Sequence, residues 1–555
     1  MNQNFLKTFF FYFFTAGIVQ VLLFAAGKVG PQGIFDAILV SFLWLIPSLL
    51  LPKHQKRINL IIGICIFILN LPAFGYFLIY QEEITQSLYF IIFDSNSNES
   101  SEYIQHYFKW WIPFAFFGYG YISYKLWTLL QPIELTKKKK YAFSFLIIFI
   151  IFINPIIGKG FLTPGFYKTL KKHLEPTSPW QLFIGYNAYK DHLQEMQEYL
   201  HTMQNVPQLQ NLKEIDKSKP TTLVLVIGES TNRFHMGLYG YHRDTTPNLS
   251  AMKDELYTFN NVYASRPNTI ESLEQVLSFA DENNPDLYKT QQSLLGLMKQ
   301  AGYKIYWISN QQTLTGRNTM LTSFSQLADE QIYLNTTRRQ NSYSFDEKVI
   351  EPYEKIIDND QENKKLIIVH LLGTHMSYKY RYPDNFKEFE SLDDSQRDLS
   401  NDKKQTINHY DNAILYNDYI VSSLLKKLKT ANQESLLLYF SDHGDDVYDT
   451  PPYNTLGRIE SAPTVPMYAI PFIVWASDKW QMKKKINKST TFLNRKFSMA
   501  NFIYAWSDLI GITYDEFVPE KSIFNEAFKE SQILVGDPYI KGQVKELEIV
   551  DINPN

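Results

Sequence analysis

Thr221–Ser230 reads TTLVLVIGES, and the fold of the chain's C-terminal part turns on its first eight residues. The run is apolar, rich in β-branched side chains and bounded by Pro220 and Gly228. That pattern predicts a strand buried on both faces rather than one with a wet side. Comparable runs recur at Tyr303–Ser309 (YKIYWIS), Lys365–Gly373 (KLIIVHLLG), Ser435–Gly444 (SLLLYFSDHG) and Ile470–Ser477 (IPFIVWAS). Between them lie helical patterns such as Gln292–Gly302 and Tyr416–Asn432. Strands alternating with helices predict an α/β domain over 221–555 built on a largely parallel sheet. In such sheets, functional groups collect beyond the carboxyl ends of the strands.

Upstream, the composition changes. Five apolar runs can be marked, at about Phe9–Ala26, Ile34–Leu51, Ile58–Tyr80, Trp110–Leu130 and Ala142–Ile157. Most approach the roughly 20 residues a helix needs to cross a bilayer. They predict a five-helix transmembrane domain over 1–160, and the length of the first run argues against a cleaved leader. Lys7, Pro52–Arg57 (PKHQKR) and Lys137–Lys140 alternate with the loops 81–86 and 94–102, which contain no Lys or Arg. Basic loops stay cytoplasmic, so the N-terminus is expected inside, and an odd number of spans puts the α/β domain outside, which in a bacterium means the periplasm or the outer face of the membrane. Residues 161–220 read as an amphipathic helical connector, suited either to the membrane surface or to packing on the soluble domain.

Bulk composition excludes some classes. A net charge of −3 supplies no excess of cations for nucleic-acid phosphates. The single cysteine, Cys65, leaves no intrachain disulfide and no cysteine-based zinc site.

Polar residues at three strand ends stand out. Glu229 follows the first strand, Asp442 and His443 follow SLLLYFS, and His375 follows IIVHLLGT. Each has a plain structural reading, as a helix cap, a turn cap or an exposed loop residue. Together, carboxylates and imidazole match the donors that Zn²⁺ accepts, which defines a candidate metal hydrolase or transferase. Ser265–Phe279 (SRPNTIESLEQVLSF) adds Thr269 at the start of a predicted helix. Asn268 and Glu271 have capping-box spacing, so local sequence leaves open whether Thr269 caps or reacts.

Gly228–Leu249 (GESTNRFHMGLYGYHRDTTPNL), with RPNTIESL, HLLGTHMSY, Tyr410–Tyr419 (YDNAILYNDY) and SDHGDD, resembles the membrane-bound phosphoethanolamine transferases that modify lipopolysaccharide. These belong to the alkaline phosphatase/sulfatase superfamily. Ser178–Tyr186 (SPWQLFIGY) and Asp449–Arg458 (DTPPYNTLGR) look most like the branch that decorates the inner-core heptose. The resemblance implies a zinc-binding set of Glu229, Thr269, Asp442 and His443, with Thr269 as nucleophile and His375 near the phosphate or leaving group. It implies phosphatidylethanolamine as donor, lipopolysaccharide as acceptor, and a multi-pass inner-membrane protein. No histidine follows His443, unlike in lipid A-modifying members, so one zinc site is expected and a second is in question. Alternative readings are transfer of phosphoethanolamine or glycerophosphate to lipid A or a periplasmic glucan, and a non-catalytic membrane scaffold. Thr245 and Thr246 read as turn residues, His235 and His242 as loop residues or pocket lining, His409 as structural, and Arg458 as a surface arginine with phosphate contact as the alternative.

Overall fold

The computed structural model describes residues 3–27, 29–80, 110–159, 164–214, 221–311, 319–335, 344–392, 399–431, 433–460, 462–482, 486, 488–539 and 542–549. The loops 81–86 and 94–102 used for topology lie outside these residues. The chain divides into two compact units, one from Met1–Gln194 and one from Glu195–Asn335 with Tyr343–Asn555.

Each apolar run of the first unit is helical. They form α1 (Gln3–Ala25), α2 (Gln32–Leu43) continued by α3 (Leu45–Leu50), α4 (Gln55–Tyr80), α5 (Ile112–Thr128) and α6 (Lys137–Lys159). Among the described residues, three stretches, Gln3–Ala25, Gln32–Leu50 and Pro52–Ile79, are long and apolar enough to cross a membrane by length and composition. With 17 residues, α5 falls short of that length, and α6 begins with the lysine run. Phe114, Phe117 and Phe145 point outward, as side chains facing lipid would. Several polar groups inside the bundle are paired with one another or with backbone. Tyr12 donates to Asn59 Oδ1 at 2.7 Å, and Asn70 donates to the Thr15 carbonyl at 3.2 Å, two residues before Pro72 interrupts the amide ladder of α4. Helices α7 (Pro164–Leu174) and α8 (Trp180–Gln204) follow, with Phe166 buried and Lys171 and Lys172 exposed on α7. The division between units falls within α8.

The second unit is built on a seven-stranded sheet. In chain order its strands are β1 (Thr221–Gly228), β2 (Tyr257–Thr258), β3 (Lys304–Ser309), β4 (Glu330–Tyr333), β5 (Lys364–His370), β6 (Glu434–Ser441) and β7 (Phe472–Ala476). Their spatial order is β2-β7-β6-β1-β5-β3-β4. From β6 to β4 neighbouring strands are parallel, while β7 runs antiparallel to both β6 and β2. Every residue of the central β1 is buried. Leu223, Leu225 and Ile227 enter one core and Val224 and Val226 the other, as the two-residue period of a strand requires. The second core is closed by α10 (Asn401–Thr430), through residues such as Tyr410, Ile414 and Leu424.

Register then positions the site. Ile227 pairs with His370 and Phe440, and Gly228 with Ser441, so β1, β5 and β6 end side by side. Glu229, the turn after His370, and Asp442 leave the sheet at one level.

Candidate active site

Glu229 is fully buried, although it leaves the sheet on a loop. Its backbone is enclosed by the turn after β5, where Thr374 donates both N–H and Oγ1 to the Glu229 carbonyl at 3.1 and 2.9 Å. Gly373 makes that approach possible. Its φ is +51°, and a Cβ there would lie 2.9 Å from both the N and the O of Glu229. Gly373→Ala is therefore expected to cost about 1–2 kcal/mol in backbone conformation alone and to displace Glu229. Thermal unfolding and metal content of the same preparation should both fall.

Asp442 and His443 come from the end of β6. Asp442 Oδ1 accepts the backbone N–H groups of Ser230 (3.0 Å) and His443 (2.8 Å). Asp442 Oδ2 is buried without a hydrogen-bond partner, 3.3 Å from His443 Nε2. His443 Nδ1 lies 3.0 Å from the Gly444 carbonyl, which can only accept, so that nitrogen carries the proton. His443 Nε2 is then turned toward Glu229 Oε1, also 3.3 Å away. Thr269 completes the convergence, with Oγ1 2.9 Å from Glu229 Oε2 and 3.3 Å from His443 Nε2.

Thr269 is the first residue of α9 (Thr269–Val276), and Asn268 makes no side-chain hydrogen bond at the cap. The capping box suggested by spacing thus does not form through Asn268. Thr269 faces the carboxylate instead, and Ser272, one turn later, ties the helix to the Asp442 carbonyl at 2.7 Å. The half-buried Thr269 hydroxyl sits at a helix start, where unpaired N–H groups favour an anion.

These groups suit a cation. Glu229, Asp442 and His443 can each offer one ligand atom, all within 4.8 Å of one another. Burial and the neighbouring Glu229 push the Asp442 carboxyl up to about 7. Burial alone would raise Glu229 too, but its contact with His443 and the charge of Arg458 hold it well below the usual range. Two carboxylates this close cannot both ionise without a positive charge, and the orphaned Asp442 Oδ2 and the proton-free face of His443 are where an ion would be held.

His375 lies on the turn after β5, beyond that three-residue group. Its Nδ1 is buried with no hydrogen-bond partner, and burial lowers its pKa, keeping the imidazole neutral. Gln311, past the end of β3, donates to Glu229 Oε2 at 3.0 Å and to the Leu371 carbonyl at 2.8 Å. Nothing in its sequence surroundings singled it out beyond its place at a strand end.

Arg458 corrects the surface reading. Its side chain retains 16% exposure, and Nη1 donates to Ser230 Oγ (2.9 Å) and Asp445 Oδ1 (3.1 Å), 4.0 Å from Glu229 Oε1. His235 is also buried, bridging Asp411 and Asp449 at 2.7 and 3.0 Å, and so belongs to a structural network rather than a loop surface. His242 is exposed against Tyr241, and His409 pairs with Tyr382. Thr245 and Thr246 hold the loop, accepting from the amides of Gly237 and Leu238.

Residues 221–512 match the Sulfatase family, so the second unit is a sulfatase-family α/β domain. Over nearly the whole chain the likeness is closer. The phosphoethanolamine transferase EptC of Escherichia coli (strain K12) is 45% identical over 540 residues, which cover 96% of this chain and 93% of that protein. The phosphoethanolamine transferase CptA of Salmonella typhimurium is 44% identical over 543 residues, with the same coverage. The crystal structure of the C-terminal periplasmic domain of the Escherichia coli EptC, in complex with Zn, superposes with a TM-score of 0.58 at 50% identity, covering 61% of this chain and 96% of that one. The chain belongs to the phosphoethanolamine transferase family.

Proposed function

We propose that this protein moves phosphoethanolamine from phosphatidylethanolamine to lipopolysaccharide, at the inner-core heptose, through a phosphoethanolamine ester on Thr269. The observation that carries the reading is the convergence of a half-exposed threonine hydroxyl on the buried Glu229, Asp442 and His443. Likeness to EptC and CptA supports the transferred group. The stretches Ser178–Tyr186 and Asp449–Arg458 support the heptose acceptor.

The zinc-bound EptC domain supports Zn²⁺ as the metal, held here by Glu229, Asp442 and His443 with the Thr269 oxygen. When bound, it supplies positive charge that favours an ionised oxygen nucleophile and offsets charge on the phosphoryl group. The chain's residues do the rest. Thr269 Oγ1 loses its proton and bonds to phosphorus, the bond from phosphorus to the glycerol oxygen breaks, and that oxygen takes up a proton as diacylglycerol leaves. The N–H groups at the start of α9 face the phosphoryl oxygens. His375, neutral and on the adjoining turn, contacts the phosphate or the leaving oxygen. An acceptor hydroxyl then displaces Thr269, whose oxygen regains a proton. The five helical runs hold this unit at the outer face of the inner membrane, where both amphiphilic substrates lie.

The test uses the full-length protein in vesicles of phosphatidylethanolamine with the ethanolamine labelled. Diacylglycerol release and phosphoethanolamine on the Thr269 peptide are expected, followed by label transfer when core lipopolysaccharide is added. Label that passes to lipid A or to a glucan would overturn the acceptor, and an unlabelled Thr269 during turnover would overturn the intermediate. Chelation should remove at least 10²-fold of the activity, and Zn²⁺ should restore it.

A further inference from the structure

Arg458 carries a donor edge that the protein leaves unused. Its guanidinium sits beside Asp445, yet the pair is not the two-pronged contact usual for arginine and carboxylate. Asp445 Oδ2 is taken by the Tyr378 hydroxyl at 2.8 Å, so only Oδ1 meets Arg458, through Nη1. The same Nη1 donates to Ser230 Oγ. Among the described residues, Nε and Nη2 have no hydrogen-bond partner, and the side chain keeps an exposed edge.

The guanidinium is held beside the carboxylate that the nucleophile contacts. Thr269 Oγ1 lies 2.9 Å from Glu229 Oε2, and Arg458 Nη1 lies 4.0 Å from Oε1 of the same carboxylate. The two groups flank one side chain. The segment carrying Arg458 is fixed on both sides. Gly457 pairs with Asp446 in a short antiparallel ladder, and Glu460 accepts from Arg266 Nε at 2.5 Å. Arg266 precedes Thr269 by three residues, so the ion pair clamps the arginine segment onto the nucleophile segment.

We propose that Arg458 is a catalytic residue that binds non-bridging oxygens of the transferred phosphoryl group through Nε and Nη2. A planar fork with two parallel donors matches phosphate oxygens in a way a lysine ammonium does not. Its fixed positive charge also lies in the part of the chain after His443, where no histidine occurs. The inference rests on phosphoryl transfer at Thr269.

The experiment compares wild type, Arg458→Lys and Arg458→Ala as full-length protein in phosphatidylethanolamine vesicles. Four quantities are read: the single-turnover rate of Thr269 labelling, zinc content, thermal unfolding, and the Kd of inorganic phosphate. The rate should fall roughly 10²-fold in Arg458→Ala, with zinc content kept and phosphate bound about tenfold more weakly. Arg458→Lys should recover only part of the rate, and added guanidinium ion should partly rescue Arg458→Ala. Wild-type labelling rates in Arg458→Ala would overturn the role of Arg458 while leaving the Thr269 intermediate standing. Loss of zinc in step with activity in both variants would overturn it as well, by making Arg458 a structural support. A wild-type protein that never labels Thr269 would instead remove the underlying reaction.

Discussion

Thr269→Ala is expected to lower transfer by roughly 10³-fold or more, while the protein folds and keeps its thermal stability within a few degrees. The two halves of this expectation come from different features of one position. The hydroxyl is the half-exposed oxygen of the Glu229 and His443 convergence, so under the proposed mechanism its removal leaves no group to take the phosphoryl ester. Structurally it is the first residue of α9, not the cap, and the cap residue Asn268 makes no side-chain hydrogen bond there. Alanine is a good helix former at such a position, so the backbone loses little. The anchoring contact of α9 is the Ser272 hydroxyl on the Asp442 carbonyl, which Thr269→Ala does not touch. Ser272→Ala should therefore give the reverse pattern, with a lower unfolding temperature and residual transfer. Thr269→Ser keeps the oxygen and should retain transfer within about tenfold of wild type. Lipopolysaccharide from cells carrying Thr269→Ala, analysed by mass spectrometry, should lack the phosphoethanolamine increment; its persistence at the wild-type level would remove Thr269 from the mechanism.

How much of this was legible in the sequence depended on the range of the interaction. The strand at Thr221–Gly228 could be read because burial on both faces leaves no polar alternation. The sense of β7 could not, since IPFIVWAS would look the same in either direction, and the structure makes it antiparallel. The two-residue β2 carries too little pattern to register at all. Within the site, Glu229, Asp442 and His443 stood out because a charged or imidazole side chain directly after a buried strand has few places to go. Thr269 did not stand out, because a hydroxyl before a helix is ordinarily a cap, and family resemblance had to assign its role. Arg458 and His235 were misjudged for a shared reason. A buried cation is tolerable only with acceptors brought to it, and in each case one or more of those acceptors is remote in sequence. Ser230 lies 228 residues from Arg458, and Asp411 lies 176 from His235.

That buried network gives the second large expectation. His235 donates from both ring nitrogens to Asp411 and Asp449, which requires the imidazolium form. Burial would lower its pKa, but the charges of Asp449 and Asp411, and the hydrogen bonds to them, outweigh that and push it up to about 10 from an ordinary 6.5. A pKa raised by folding adds stability that is complete below about 6.5 and is lost as pH climbs through about 10. Unfolding temperature should thus decline on the alkaline side, and His235→Gln should flatten that decline while lowering stability at neutral pH. Asp411→Ala should be more damaging, because Asp411 also accepts from Arg243 (2.7 Å) and Tyr241 (3.0 Å). Its loss leaves a buried guanidinium and imidazolium short of a counter-charge, at a cost of about 3–5 kcal/mol. Asp411→Asn, which keeps the shape but not the charge, should fall between the two. The effect extends toward the site: Asp449 Oδ2 accepts from Asn232, which donates in turn to the Asp445 carbonyl, on the residue whose side chain holds Arg458. Loss of transfer at high pH should therefore follow the unfolding transition of each variant. A decline in activity at constant stability, unchanged by His235→Gln, would place the titrating group elsewhere.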